Sequence, residues 1–197
     1  MECRWAVTEV VHLRGAVIGI IVFLSIVLGA VLALVYLGYA PMAADSAPSR
    51  FEANLAMTAV HAMSDREMGE RHDPLPVTDA TMAAGLTIYQ QNCILCHGAA
   101  DGKPSNVASG FYVPSPQFAT DGAEDDREGS TYWKIHHGIR FSAMPAFQHS
   151  LTETKIWSVT MFLKHMDKLP AAVDAKWKAV KSVGGMNMAP NSTMDMK

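Results

Sequence analysis

The chain has 197 residues, 49% of them hydrophobic, and a formal net charge of −3. That is room for one ordinary domain with appendages. The mildly acidic balance excludes nucleic acid and a strongly basic membrane-binding surface as partners. No internal repeat stands out.

Gly15 to Tyr39 carries no charged side chain. As a helix it would be about 37 Å long, at roughly 1.5 Å per residue. A bilayer core needs about 20 residues, so the run predicts one transmembrane helix over 15–39. Trp5, Tyr36 and Tyr39 sit where interfacial aromatics belong. The rival is a cleaved signal peptide, whose apolar core is usually about 7–15 residues. Arg4 and Arg14 precede the span, beside Glu2 and Glu9, a lean towards an N-terminus inside. Gly15 and Gly19 form a GxxxG pair of the kind that packs membrane helices.

Pro41 to Ser49 reads as a linker. A short amphipathic helix is expected within 51–71, its charges at Asp65, Arg66, Glu67, Glu70 and Arg71 forming a solvated face. Pro74 and Pro76 stop it. Thr78 or Asp79 caps a helix to about Asn92, with Met82, Leu86 and Tyr89 at helical spacing. Loops dominate Gly98–Gly129. A short helix is expected over Thr131–Gly138. Thr152 or Ser150 caps a last helix from Glu153 to about Lys168, with Ser150-Leu-Thr-Glu153 fitting a capping box. No stretch alternates with period two, so the fold is all-α. A compact domain rarely carries so much irregular chain. A large apolar cofactor at its centre would supply the missing core.

Three cysteines are present. Cys3 is remote and receives no function. The other two belong to Cys93-Ile-Leu-Cys96-His97, the c-type haem attachment signature. Two thiols three positions apart reach the two vinyl groups of one haem, and His97 is then placed under the iron as a nitrogen ligand. A structural zinc site would want two more ligands, for which His136 and His137 are the only nearby offers. A thioredoxin-type pair would need a βαβ context. The sixth ligand falls to Met144. It lies in a loop stiffened by Pro145, just before the last helix, whereas Met161 and Met166 read as core. His136, His137 and His149 are the alternatives.

With these residues in place, the chain from about Thr78 to Pro170 resembles the class I c-type cytochromes. The matching features are the helix into Cys93-Ile-Leu-Cys96-His97, the Gly138-Ile…Met144-Pro-Ala-Phe147 loop and the final helix through Trp157. The resemblance implies one covalent haem c, six-coordinate iron, and first and last helices crossing near Gly85/Tyr89 and Trp157/Met161. It implies that the carbonyl of Pro114 or Pro116 orients the histidine. It also implies one-electron transfer to redox protein partners, with no small-molecule substrate and no enzyme activity of its own. Because c-type maturation occurs outside the cytoplasm, it places the haem domain on the periplasmic side of the inner membrane. The expected division is a cytoplasmic N-terminus 1–14, a membrane helix 15–39, a linker with a short helix 40–76, a haem domain 77–170 and a tail 171–197. The layout suits a tethered carrier, free or fixed in a respiratory or photosynthetic complex. A haem enzyme or a gas or redox sensor with a displaceable sixth ligand is the alternative.

Smaller features carry weaker expectations. Asp121–Glu128 is read as a solvated acidic loop, with steering of a basic partner as its functional alternative. Arg140 is a candidate for pairing with a haem propionate. Met186, Met188, Met194 and Met196 form two Met-x-Met pairs that suit Cu(I), or simply a flexible tail.

Overall fold

The computed structural model describes residues 3–182, without the side chains of residues 3–11 and 13. The Met-x-Met pairs and the side chains of Cys3 and Trp5 lie outside the described residues. Among those described there is no strand, as the lack of two-residue alternation predicts. The chain divides into two compact units, residues 1–43 and 44–197.

The first unit is one helix, α1 (Cys3–Tyr36). Its stretch Arg14–Tyr36 is long and apolar enough to cross a bilayer, and none of it is buried. Length and composition fit a membrane span and a signal sequence alike. The one serine in that stretch, Ser25, donates back to the Ile21 carbonyl at 2.8 Å and so needs no outside partner. Gly38, at φ 78°, ends the helix.

The second unit holds α2 (Arg50–Met68), α3 (Asp79–Asn92), α4 (Ile94–His97), α5 (Glu128–His137), α6 (Glu153–Lys164) and α7 (Ala171–Ala179). Short 3₁₀ turns lie at Ala108–Gly110, Phe147–His149 and Met166–Lys168. Thr78 caps α3 through a reciprocal capping box with Thr81. Thr152 caps α6, accepting from the Lys155 amide at 3.4 Å. The capping box expected from Ser150 does not form. Its hydroxyl instead donates to the Phe147 carbonyl.

The core is the crossing of α3 and α6. A Cβ at Gly85 would lie 2.1 Å from the Ser158 carbonyl oxygen and 2.7 Å from the Phe162 Cβ. The two backbones therefore touch at a point only glycine allows. Around it Leu86, Tyr89, Ile156, Val159, Met161 and Phe162 are fully buried. Burying one such side chain contributes about 1.5–3 kcal/mol, so the helices are held in one register by several at once.

Two elements differ from expectation. Residues 171–179, expected as tail, form α7, whose Trp177 packs edge-on against Tyr89 and Phe162 at 5.5 and 5.8 Å. The short helix starts at Glu128, not Thr131. Its first turn is held from outside, by the Asp73 amide on the Glu128 carboxylate and by the Ser130 hydroxyl on Asp65. The charges expected to form a solvated face, Asp65, Arg66, Glu67, Glu70 and Arg71, are exposed, and three of them also have partners. Asp65 accepts from Ser130, Glu67 accepts from the Trp133 indole at 2.6 Å, and Glu70, just past the helix, pairs with Arg127 at 3.1 Å. An apolar side of the helix is exposed as well. Phe51 is 78% and Leu55 59% exposed, and Ala59 and Ala62 follow at helical spacing.

The acidic loop is likewise partly internal. Asp121 accepts from the Gln117 amide at 2.6 Å, and Asp126 pairs with Lys134 at 2.7 Å. Lys164 donates to the carbonyls of Glu124 and Asp126. The loop is thus a braced lead-in to α5 rather than a free charged surface.

Gly85→Ala should lower the stability of the domain by about 3 kcal/mol, the scale of overpacking a rigid contact. Chemical unfolding followed by circular dichroism reads this. A loss under 0.5 kcal/mol would mean the helices do not cross in contact.

Candidate functional site

The backbone leaves α3 through Cys93 and re-enters one helical turn, α4, that carries Cys96 and His97. The His97 amide donates to the Cys93 carbonyl at 2.9 Å, so the five-residue motif is a single coiled unit. Both thiols are free and half-buried. Burial, aided by the nearby Cys96, pushes the Cys93 thiol up to about 12. Among the described residues no group of three or more His, Cys, Asp and Glu side chains converges to hold a metal ion. That weighs against the zinc reading.

Other side chains hold this turn from several directions. Tyr89 donates to the carbonyls of His97 and Gly98 at 3.1 and 2.8 Å. Ser115 and Gln117 donate to the Cys96 carbonyl at 2.5 and 3.0 Å. Ser105 donates to the Leu95 carbonyl at 2.6 Å. The last carbonyls of a helix have no partners of their own, and here those of Leu95, Cys96 and His97 find them in the loop after α4 and in Tyr89 of α3. Sequence reasoning missed these residues. Scattered Ser and Gln in a polar loop give no signal of what they will bond.

His97 is oriented by the same loop. Its Nδ1 lies 3.0 Å from the Pro116 carbonyl, which selects Pro116 over Pro114. An N–H on Nδ1 leaves Nε2 as the lone-pair nitrogen. Burial lowers the pKa of the ring, which favours the neutral, ligating form. Phe118 stacks on the imidazole, centroids 4.4 Å apart and planes within 6°.

Met144 sits in a closed turn after α5. The Ile139 amide donates to the Met144 carbonyl at 3.2 Å, and the Met144 amide donates to the Ser142 hydroxyl at 3.1 Å. Gly138, at φ 68°, opens the turn, and a Cβ there would lie 2.6–2.8 Å from the backbone of Met144, Pro145 and Ala146. The loop therefore folds back on its own start. The Met144 side chain is half-buried and packs against the core. Met161 is 1% exposed and is core, as expected. The alternatives differ in setting: His136 stacks on Tyr132, and His137 and His149 are exposed. Arg140 is exposed, and among the described residues it forms no ion pair.

Residues 80–163 match the family described as cytochrome c oxidase, cbb3-type, subunit III. This segment is a c-type cytochrome domain. The match begins inside α3 and ends inside α6, so it takes in the attachment motif, the Pro116 carbonyl and the Met144 loop. It covers less than half of the chain and leaves out α1, α2 and α7. None of the curated proteins compared matches the chain.

A c-type cytochrome domain implies covalent haem c and a haem-based electron-transfer role. The residues present suit that group. Two free thiols sit on one turn, a neutral imidazole has its Nδ1 engaged, and a soft thioether lies in a braced loop.

Proposed function

We propose that the protein is a membrane-tethered one-electron carrier with a single haem c bound through Cys93 and Cys96 and ligated by His97 and Met144. Bound haem supplies a reversible one-electron couple at its iron. The chain does the rest. The Cys93 and Cys96 thiols fasten the group. The Pro116 carbonyl fixes the tautomer of His97, which sets ligand basicity. Met144 would be the second residue to hold the iron, and a thioether ligand paired with a histidine raises the potential. Held by both His97 and Met144, the iron would offer no open site to a substrate, which suits passing electrons. The observation that carries this reading is His97 held by Pro116 on the Cys-x-x-Cys-His turn, inside the segment that matches a cytochrome family.

In this reading α1 stays in the bilayer with the N-terminus inside and the haem domain on the periplasmic side of the inner membrane. Thirteen residues, 37–49, join α1 to α2. They span at most about 45 Å, and as a flexible chain about 20 Å. Such a tether concentrates the haem near partners in the same membrane. The matched family is described as an oxidase subunit, and α2 offers an uncharged outer face at Phe51, Leu55, Ala59 and Ala62. Exposed apolar faces of this kind mark contact surfaces. Both support a subunit fixed in a respiratory complex over a free shuttle.

Two experiments test this. Optical spectra of the detergent-solubilised protein should show a weak thioether-to-iron band in the wild type, absent in Met144→Ala, and carbon monoxide should bind only the variant. Binding of carbon monoxide by the wild type would mean an open iron and move a catalytic or sensing role to the front. On native gels of solubilised membranes, wild-type haem should run in a larger assembly, and Leu55→Glu should release it as a smaller species with its haem intact. Equal migration of the two would contradict the fixed-subunit reading.

A further inference from the structure

We propose that Phe118 is a positioning residue for the axial histidine, its ring fixing the plane of the His97 imidazole and favouring the oxidised state of the bound haem. The proposal rests on ligation by His97.

One hydrogen bond does not fix a ring. The 3.0 Å contact from Nδ1 to the Pro116 carbonyl pins a single point and leaves the imidazole free to tilt about it. Phe118 removes that freedom. Its ring lies parallel to the imidazole within 6°, at 4.4 Å. A tilt would drive one edge of the imidazole into the phenyl face.

Phe118 can act as a wall because it is itself held. Its amide donates to the His97 carbonyl at 3.3 Å, tying the two residues backbone to ring. Its ring packs on Tyr89, centroids 6.3 Å apart, and joins the edge of the core. Tyr89 in turn is fully buried between Phe162 and Trp177. Gln117 turns the other way, its side chain on the Cys96 carbonyl and its amide on Asp121. So the stretch Pro116–Phe118 brings a carbonyl and a ring to one imidazole while being stapled from its far side.

The stack also has an electrostatic sign. An aromatic face is negative. An imidazole on ferric iron carries more positive charge than one on ferrous iron. A phenyl face against it therefore stabilises the oxidised form more, by the same attraction that draws cations to aromatic faces. A leucine of comparable volume would fill the space without either effect.

The test uses the full-length haem-loaded protein and the variants Phe118→Leu and Phe118→Tyr. Low-spin ferric electron paramagnetic resonance reports ligand-plane orientation through its g values, and a redox titration gives the potential. The expected result is that Phe118→Leu keeps one low-spin haem per chain, shifts the g values and raises the potential, while Phe118→Tyr keeps both near wild type. If Phe118→Leu does not incorporate haem, Phe118→Met provides the same contrast. Unchanged g values and potential in a variant that lacks the ring would overturn this proposal alone. A wild-type haem without a low-spin histidine-ligated spectrum would overturn the ligation by His97 as well.

Discussion

The backbone contact between α3 and α6 at Gly85 is the constraint on which the rest of the second unit depends. With no Cβ there, the Ser158 carbonyl and Phe162 come in against the α3 backbone. That closeness seals Leu86, Tyr89, Val159 and Phe162 from water. It also fixes where α3 ends, and Cys93 begins there. Any shift of the crossing would move the attachment turn against its loops. The same approach brings Tyr89 under α4, where its hydroxyl reaches the carbonyls of His97 and Gly98. Apolar packing and a polar tie thus meet in one side chain.

The loop 98–127 has little regular structure of its own, yet it is not loose. Its polar groups are spent on the attachment turn and on the entry to α5. Ser105, Ser115 and Gln117 satisfy the carbonyls of Leu95 and Cys96, and Pro116 takes the His97 nitrogen. Asp121 and Asp126 brace the loop on its own amides and on Lys134. A buried backbone group without a partner costs about as much as a lost hydrogen bond. The long irregular segment is therefore tolerated because it pairs with the turn it surrounds. The turn keeps one shape for the same reason.

Local features were readable in the sequence, and long-range ones were not. Thr78 as a cap, the helix to Asn92, Thr152 as a second cap and the spacing of Cys93, Cys96 and His97 are all set within a few residues. The crossing at Gly85 and the orienting proline came from family resemblance, and the structure puts contacts at both places. The Ser150 capping box failed locally, to the Phe147 carbonyl, but the other failures depended on partners far along the chain. The start of α5 is stabilised by Asp65 and Asp73, more than fifty residues earlier. Trp177 makes α7 a packed helix because Tyr89 and Phe162 present a surface to it. The partners that Asp65, Glu67 and Glu70 find in Ser130, Trp133 and Arg127 are likewise revealed by no local pattern. Phe118 against His97 is of the same kind: an aromatic in a loop does not announce the ring it will stack on.

The central claim is one covalent haem on the Cys93–His97 turn. The most direct measurement is the intact mass of the chain under denaturing conditions, after expression where c-type maturation operates, with peptide mapping of the adduct. The account predicts an added mass of one haem per chain, carried on the peptide that contains Cys93 and Cys96. A chain at its bare polypeptide mass, with no haem or with haem that extracts freely into acidified organic solvent, would contradict it.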